Sequence, residues 1–150
     1  MAHWMCITNE KNWNVAKSKR IWGLADRNRK KLESSKVGDY LVFYIKQRRI
    51  NSKIIRPKIV GIFKVASKPF FDEERIFASL PKKADELYPW RVKIETVTIP
   101  KKPLEFKEVV PLLQFIKNKE KWFLYIQTTM RVIPKQDFDL IKSAVSRHKK

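Results

Sequence analysis

Tyr40-Leu41-Val42-Phe43-Tyr44-Ile45-Lys46 is nearly continuous β-prone sequence. A run without polar alternation predicts a central strand buried on both faces. Val37-Gly38-Asp39, just before it, is a turn signal. Gln47–Arg56, just after it, is polar and basic and reads as a hairpin loop. The next strand is expected at Ile59–Ala66, where Gly61 suggests a bulge or a close backbone approach. Toward the N-terminus, Trp4–Thr8 reads as a short opening strand. In the polar turn that follows, Asn9 or Asn12 is placed to cap a short helix running to about Lys19. Ile21-Trp22-Gly23-Leu24 is a second apolar island, and Arg27–Ser35 reads as a short surface helix.

Toward the C-terminus, Ser67–Pro89 holds Pro69, Pro81 and Pro89 and reads as an irregular excursion. Arg91–Ile99 alternates at Val92, Ile94, Thr96 and Thr98, as a half-buried strand does. Glu108–Lys117 is expected to be a helix, with Val109, Leu112, Leu113 and Ile116 at helical spacing. Trp122–Ile126 is either strand or a helix end. Val132-Ile133-Pro134 introduces a last helix whose face is Phe138, Ile141 and Val145. No internal repeat, low-complexity linker or domain boundary interrupts this order. The expectation is one α+β, barrel-like domain over residues 1–150, with about five to six strands and short flanking helices.

The chain has 150 residues, with 34 Lys and Arg against 15 Asp and Glu, for a formal net charge of +19. The excess is +8, +4 and +7 over successive fifty-residue segments, so it belongs to the folded body. Hydrophobic residues make up 43%, enough for a core. Gly23, Gly38 and Gly61 are the only glycines, which rules out a Gly-rich phosphate loop. Cys6 is the single cysteine, so no internal disulfide and no cysteine-cluster zinc site can form, and a reducing compartment such as the cytoplasm fits. His3 and His148 stand near opposite termini, which argues against a multi-histidine metal site. No apolar run approaches the roughly 20 residues of a membrane span. A strongly basic chain of this kind points to a polyanionic partner, nucleic acid ahead of membrane.

Catalytic constellations are poor. Glu73-Glu74 and Asp85-Glu86 read as surface charge in a loop, and Cys6 reads as a small buried hydrophobe. Aromatic residues carry more information. Five tryptophans, Trp4, Trp13, Trp22, Trp90 and Trp122, stand in a basic chain. A ring can pack in a core or stack on a base, where stacking is worth roughly 1–3 kcal/mol. Trp4 and Trp122 lie inside apolar runs and read as core. Trp22 follows Lys19-Arg20 and precedes Gly23, whose bare backbone permits close approach of a ligand. Asn9 and Asn12 either serve the turn or offer an amide donor and acceptor to a base edge. Arg48-Arg49, with Lys46 and Lys53 nearby, suit backbone phosphates or a solvated loop. Arg91 and Arg131 either reach a phosphate or pair inside the fold.

Taken in order, Asn9-Glu10-Lys11-Asn12-Trp13, Ile21-Trp22-Gly23-Leu24 and Val37 through Tyr44 resemble the EVE domain, a member of the PUA-like group. Ile59-Val60-Gly61-Ile62, Tyr88 through Ile94 and Ile133-Pro134-Lys135-Gln136-Asp137-Phe138 continue the resemblance over nearly the whole chain. It implies a small twisted β-barrel flanked by helices. EVE domains are similar in fold to YTH domains, which read N6-methyladenine in RNA with an aromatic cage. On that similarity Trp22 matches the first cage aromatic and Gly23 the small residue whose backbone faces the base. Asn12 matches an Asn that contacts the base edge, and Thr8-Asn9 the polar pair before it. Tyr88-Pro89-Trp90 falls roughly where a second cage aromatic stands, so Tyr88 or Trp90, or neither, fills that role. YTH readers are more evidently Trp-walled on this second side, which leaves a different base or modification open. The resemblance implies a reader of a modified base, N6-methyladenine or a modified cytosine in RNA or DNA. Lys19, Arg20, Arg48, Arg49, Arg91 and Arg131 would contact phosphates. The expectation is a monomeric binder without cofactor, metal, membrane or catalytic step. The rivals are a general RNA-binding module of the same fold and an enzyme acting on a nucleotide-like ligand.

Overall fold

β3 (Tyr40–Ile45) is the central strand of the computed structural model, which describes residues 1–78 and 86–147. Before it come β1 (His3–Thr8), α1 (Glu10–Lys19), β2 (Ile21–Leu24) and α2 (Arg29–Ser34). After it come the hairpin β4 (Arg48–Ile50) and β5 (Lys53–Ile55), then β6 (Lys58–Val65) and β7 (Phe70–Phe71). The chain continues through β8 (Trp90–Thr98), β9 (Leu104–Glu105) and α3 (Phe106–Val109). It ends with β10 (Met130–Val132) and α4 (Lys135–Arg147). Pro81, Asp85 and His148 lie outside the described residues, as does the middle of the Ser67–Pro89 excursion.

The main sheet runs β10-β1-β3-β6-β8-β2, with β7 attached beside β8 and β9 beside β6. β3 pairs in parallel with β1 and antiparallel with β6. The sheet curls into a half-barrel, and the class is α+β. Alternation along β3 feeds two cores, because successive side chains point to opposite faces. Val42 and Tyr44 join Met5, Ile7, Phe106, Phe138 and Ile141 on one side. Leu41, Phe43 and Ile45 join Trp4, Cys6, Trp13, Trp22 and Leu32 on the other. This double burial explains the absence of polar alternation in the run. Among the described residues no helix is long and apolar enough to cross a membrane.

Asn9 is the residue that caps α1, its side chain accepting from the Asn12 amide at 2.8 Å. Gly61 meets both expectations. The β3–β6 register shifts between Phe43 and Tyr44, opposite it, and a Cβ on Gly61 would stand 2.7 Å from Trp13 Cη2. The basic loop Gln47–Arg56 is itself a two-stranded ribbon turning at Asn51 and Ser52, whose φ angles are 48° and 68°. Positive φ at both central residues is the mark of a type I′ hairpin turn.

Two expectations are corrected. The helix expected over Glu108–Lys117 stops early, because α3 ends at Val109 and only a 3-10 turn, Val110–Leu112, follows. Pro111 has no N–H to continue the ladder. The buried Asp137 then accepts the amides of Gln114 and Phe115 at 2.8 and 2.9 Å. In β8 the alternation breaks at Thr96, which is exposed while Val97 is half-buried. β6 shifts register between Ile62 and Phe63, so Phe63 faces Thr96 and Ile62 faces Thr98. Trp122–Ile126 resolves as a 3-10 turn.

Candidate nucleic-acid interface

The end of β1, the start of α1, β2 and the approach to β8 surround one cleft. Thr8 closes β1, and the cap geometry of Asn9 sets Asn12 one helical turn above it. Trp22 lies in β2 opposite Val92, edge-on to Phe43 at 5.2 Å, and is only 3% exposed. Gly23 follows it, and a Cβ there would stand 2.8 Å from both Phe77 Cε2 and the Tyr88 carbonyl oxygen. Ile7, Thr8, Asn9, Asn12, Trp22, Gly23, Tyr88 and Thr129 all line the cleft, together with Leu24, Arg27, Lys46 and Phe77.

Polar chemistry concentrates here. Trp22 Nε1 and Thr129 Oγ1 are buried and have no hydrogen-bond partner among the described residues. Asn12 is buried, and its amide is doubly engaged. Its Nδ2 donates to the Ala78 carbonyl at 3.1 Å, and the Ala78 N–H donates to its Oδ1 at 2.7 Å. Phe77 meets Tyr88 edge-on at 6.0 Å. Burial, reinforced by the charge and hydrogen bond of Glu86, holds the Tyr88 phenol above its usual range. Glu86 also pairs with Arg27. The open space is about 70 Å³, with the buried Phe77 in its wall and the Ala78 backbone on the Asn12 amide.

The structure thus brings Thr8, Asn9, Asn12, Trp22, Gly23 and Tyr88 together. Pro89 and Trp90 lie elsewhere. The Pro89 carbonyl accepts from the Asp72 amide at 2.9 Å. Trp90 Nε1 donates to Asp26 at 2.7 Å, and the Arg29 guanidinium lies 5.2 Å from its ring. Trp90 lines a different cavity, with Lys36, Val37 and Pro69. Tyr88 precedes β8 and has a left-handed backbone, φ 52°, so the period-two rule that keeps strand residues two apart on one face does not tie it to Trp90.

Of the residues expected to touch phosphates, Lys19, Arg20 and Arg49 are exposed. Arg48 pairs with Glu10. Arg91 is a correction. Its side chain is fully buried, donating to the carbonyls of Tyr88 at 3.0 Å, Leu87 at 3.1 Å and Glu74, beside Asp72. It ties the excursion to β8 and has no exposed surface to offer a phosphate. Arg131 is half-buried, donating to the Tyr125 carbonyl at 2.8 Å with its guanidinium 4.6 Å from the Phe115 ring. Sequence reasoning did not place Arg27, Phe77 or Thr129 at the cleft. Each arrives from a loop or short turn whose path no local pattern encodes. Among the described residues no group of three or more His, Cys, Asp or Glu is placed to hold a metal ion.

A curled sheet of this order, flanked by helices and carrying an aromatic cleft at one end, is a PUA-like fold. The chain belongs to the EVE domain family, whose sequence model matches residues 2–144. A UPF0310 protein of Pyrococcus abyssi is 44% identical over 144 residues, which is 95% of this chain and 99% of the relative. Human THYN1 protein, solved in complex with DNA containing 5-methylcytosine, superposes with a TM-score of 0.62 at 17% identity, over 100% of this chain and 99% of that one. The YTH domain-containing protein mmi1, solved in complex with RNA, gives a TM-score of 0.62 at 12% identity, over 96% of this chain and 80% of that one.

Proposed function

We propose that the chain is a nucleic-acid-binding module that takes one unpaired or flipped modified base, N6-methyladenine or a modified cytosine, into the Trp22 cleft. One observation carries the reading. Two buried polar atoms without protein partners, Trp22 Nε1 and Thr129 Oγ1, belong to residues that line the same cleft. Leaving such a group unmade costs about 1–3 kcal/mol, and a base edge would satisfy it. Asn12 adds an amide whose donor and acceptor now meet the C=O and N–H of Ala78 respectively, the pattern a base edge also presents. Entry of a base therefore requires Phe77 and Ala78 to yield their place. The complexes of THYN1 with 5-methylcytosine DNA and of mmi1 with RNA support the reading by likeness of fold.

Lys19, Arg20 and Arg49 supply the salt-sensitive part of the affinity, with Arg48 available once it leaves Glu10. The module acts as a monomeric binder in the cytoplasm, where the free thiol of Cys6 stays reduced. No catalytic step and no cofactor enter. A second reading, an RNA-binding module indifferent to modification, is favoured by the bonds that already occupy Asn12.

The test is equilibrium binding to one short single strand, with and without a single N6-methyladenine or 5-methylcytosine, at two salt concentrations. A buried methyl alone is worth about 0.8 kcal/mol, near fourfold. The reading expects at least that preference in the wild type and its loss in Trp22→Phe, which keeps a ring and removes the indole N–H. Equal binding of all strands, falling steeply with salt in both proteins, would favour the second reading.

A further inference from the structure

A second cavity, of about 400 Å³, adjoins the Trp22 cleft. Lys46 lines both. The Lys46 amide donates to the Thr8 carbonyl at 3.1 Å, so the end of β3 joins the two openings. The far wall is the 3-10 turn Trp122–Ile126, which leads through Gln127 to Thr129 of the first cleft.

The chemistry of this groove is unlike that of an ordinary core edge. Phe123 is 46% exposed and Trp122 is half-buried, the two rings edge-on at 6.0 Å. Lys107 Nζ lies 5.8 Å from the Trp122 ring. Gln47 and Gln127 add amides, and no carboxylate is among the lining side chains. The exposed Phe123 ring and the half-buried Trp122 beside two lysines, on a chain of net charge +19, match a strand that alternates flat bases with anionic phosphates. An acidic or apolar protein partner would use only half of this chemistry.

Resting on the base-binding reading above, we propose that the groove holds the nucleotide next to the one in the Trp22 cleft. Its base stacks on Phe123, and the phosphate between the two nucleotides lies against Lys46 and Lys107. The occupant is single-stranded nucleic acid, because a paired neighbour could not turn its face to the ring.

The experiment compares two ligands on wild type, Phe123→Ala, Lys107→Gln and Trp22→Phe. One ligand is a labelled seven-nucleotide strand with one central modified base; the other is the matching modified nucleoside monophosphate, used as competitor. Phe123→Ala should weaken the strand about tenfold and leave the monophosphate unchanged. Lys107→Gln should make the salt dependence shallower by about 0.7 in log–log slope. An unchanged melting temperature in Phe123→Ala confirms that the fold is intact. If Phe123→Ala binds the strand like wild type while Trp22→Phe loses base preference, the groove inference falls and the base-binding reading stands. If Phe123→Ala weakens the strand while wild type shows no base preference, the groove stands as a strand site and the base-binding reading falls. Equal weakening of strand and monophosphate by Phe123→Ala overturns the groove assignment.

Discussion

Trp22 serves both the core and the cleft, and that sets how it can be probed. Its ring packs on Phe43 and is almost fully buried. Truncating a core aromatic to Ala costs about 3–5 kcal/mol. Trp22→Ala should therefore lower the unfolding free energy by that amount in a denaturant titration, and a binding loss in it would be ambiguous. Trp22→Phe should cost far less and isolates the N–H. Gly23 offers a sharper probe of the closed cleft. Gly23→Ala puts a methyl 2.8 Å from Phe77 and from the Tyr88 backbone. Overpacking of this kind costs about 1–3 kcal/mol, read as a lowered melting temperature. A melting temperature equal to wild type would mean that both Phe77 and the Tyr88 backbone give way freely.

At the scale of the element, the first helix depends on one side chain. Asn9 caps the α1 start, its side chain satisfying the Asn12 amide. Asn9→Ala should cost about 1 kcal/mol in chemical denaturation. The same cap fixes the position of Asn12, so weaker binding should accompany the lost stability. Elements with a strong local signal were legible in the sequence. β3 declared itself by an unbroken apolar run, α4 by its face of Phe138, Ile141 and Val145, and Gly61 by its place within a strand. The Glu108–Lys117 helix was misread because Asp137, 22 residues beyond Phe115, competes for the amides that would continue it. Periodicity cannot report a long-range competitor. The cleft was legible where it rests on one end of β1, α1 and β2. Its other wall was not, because a loop such as Phe77–Ala78 leaves no periodic trace, and because the left-handed backbone at Tyr88, φ 52°, sets it apart from Trp90 two residues on.

For the whole molecule, most of the charge stays on the surface, while His3 is among the titratable groups drawn inside, with Asp39, Arg91 and Asp137. His3 is stacked parallel to Tyr40 at 5.7 Å and tilted against Phe138 at 4.6 Å. Burial lowers its pKa below the ordinary 6.5, helped by Lys135 and the N-terminal amine and opposed by Asp139 and Asp39. The unfolded chain then binds the proton more readily. The stability tied to neutral His3 is complete above about pH 6.5 and is lost as pH falls below it. Thermal midpoints measured from pH 7.5 to 5.5 should fall in wild type and fall less in His3→Gln. Equal slopes would show that other groups carry the dependence.

The placement of β1 has a consequence during synthesis. β1 is bounded on one side by β3 and on the other by β10, whose residues Met130–Val132 pair with Trp4–Cys6. A ribosome adds about 5–20 residues per second, so β10 follows β1 by roughly 6–25 seconds. Once β3 has been made and paired, and until β10 arrives, β1 keeps one row of amides and carbonyls without its strand partner. Translation speed over the last third of the message thus governs how long the newborn protein is open to wrong strand pairing, and a synonymous change that slows it there should raise aggregation without altering a single residue.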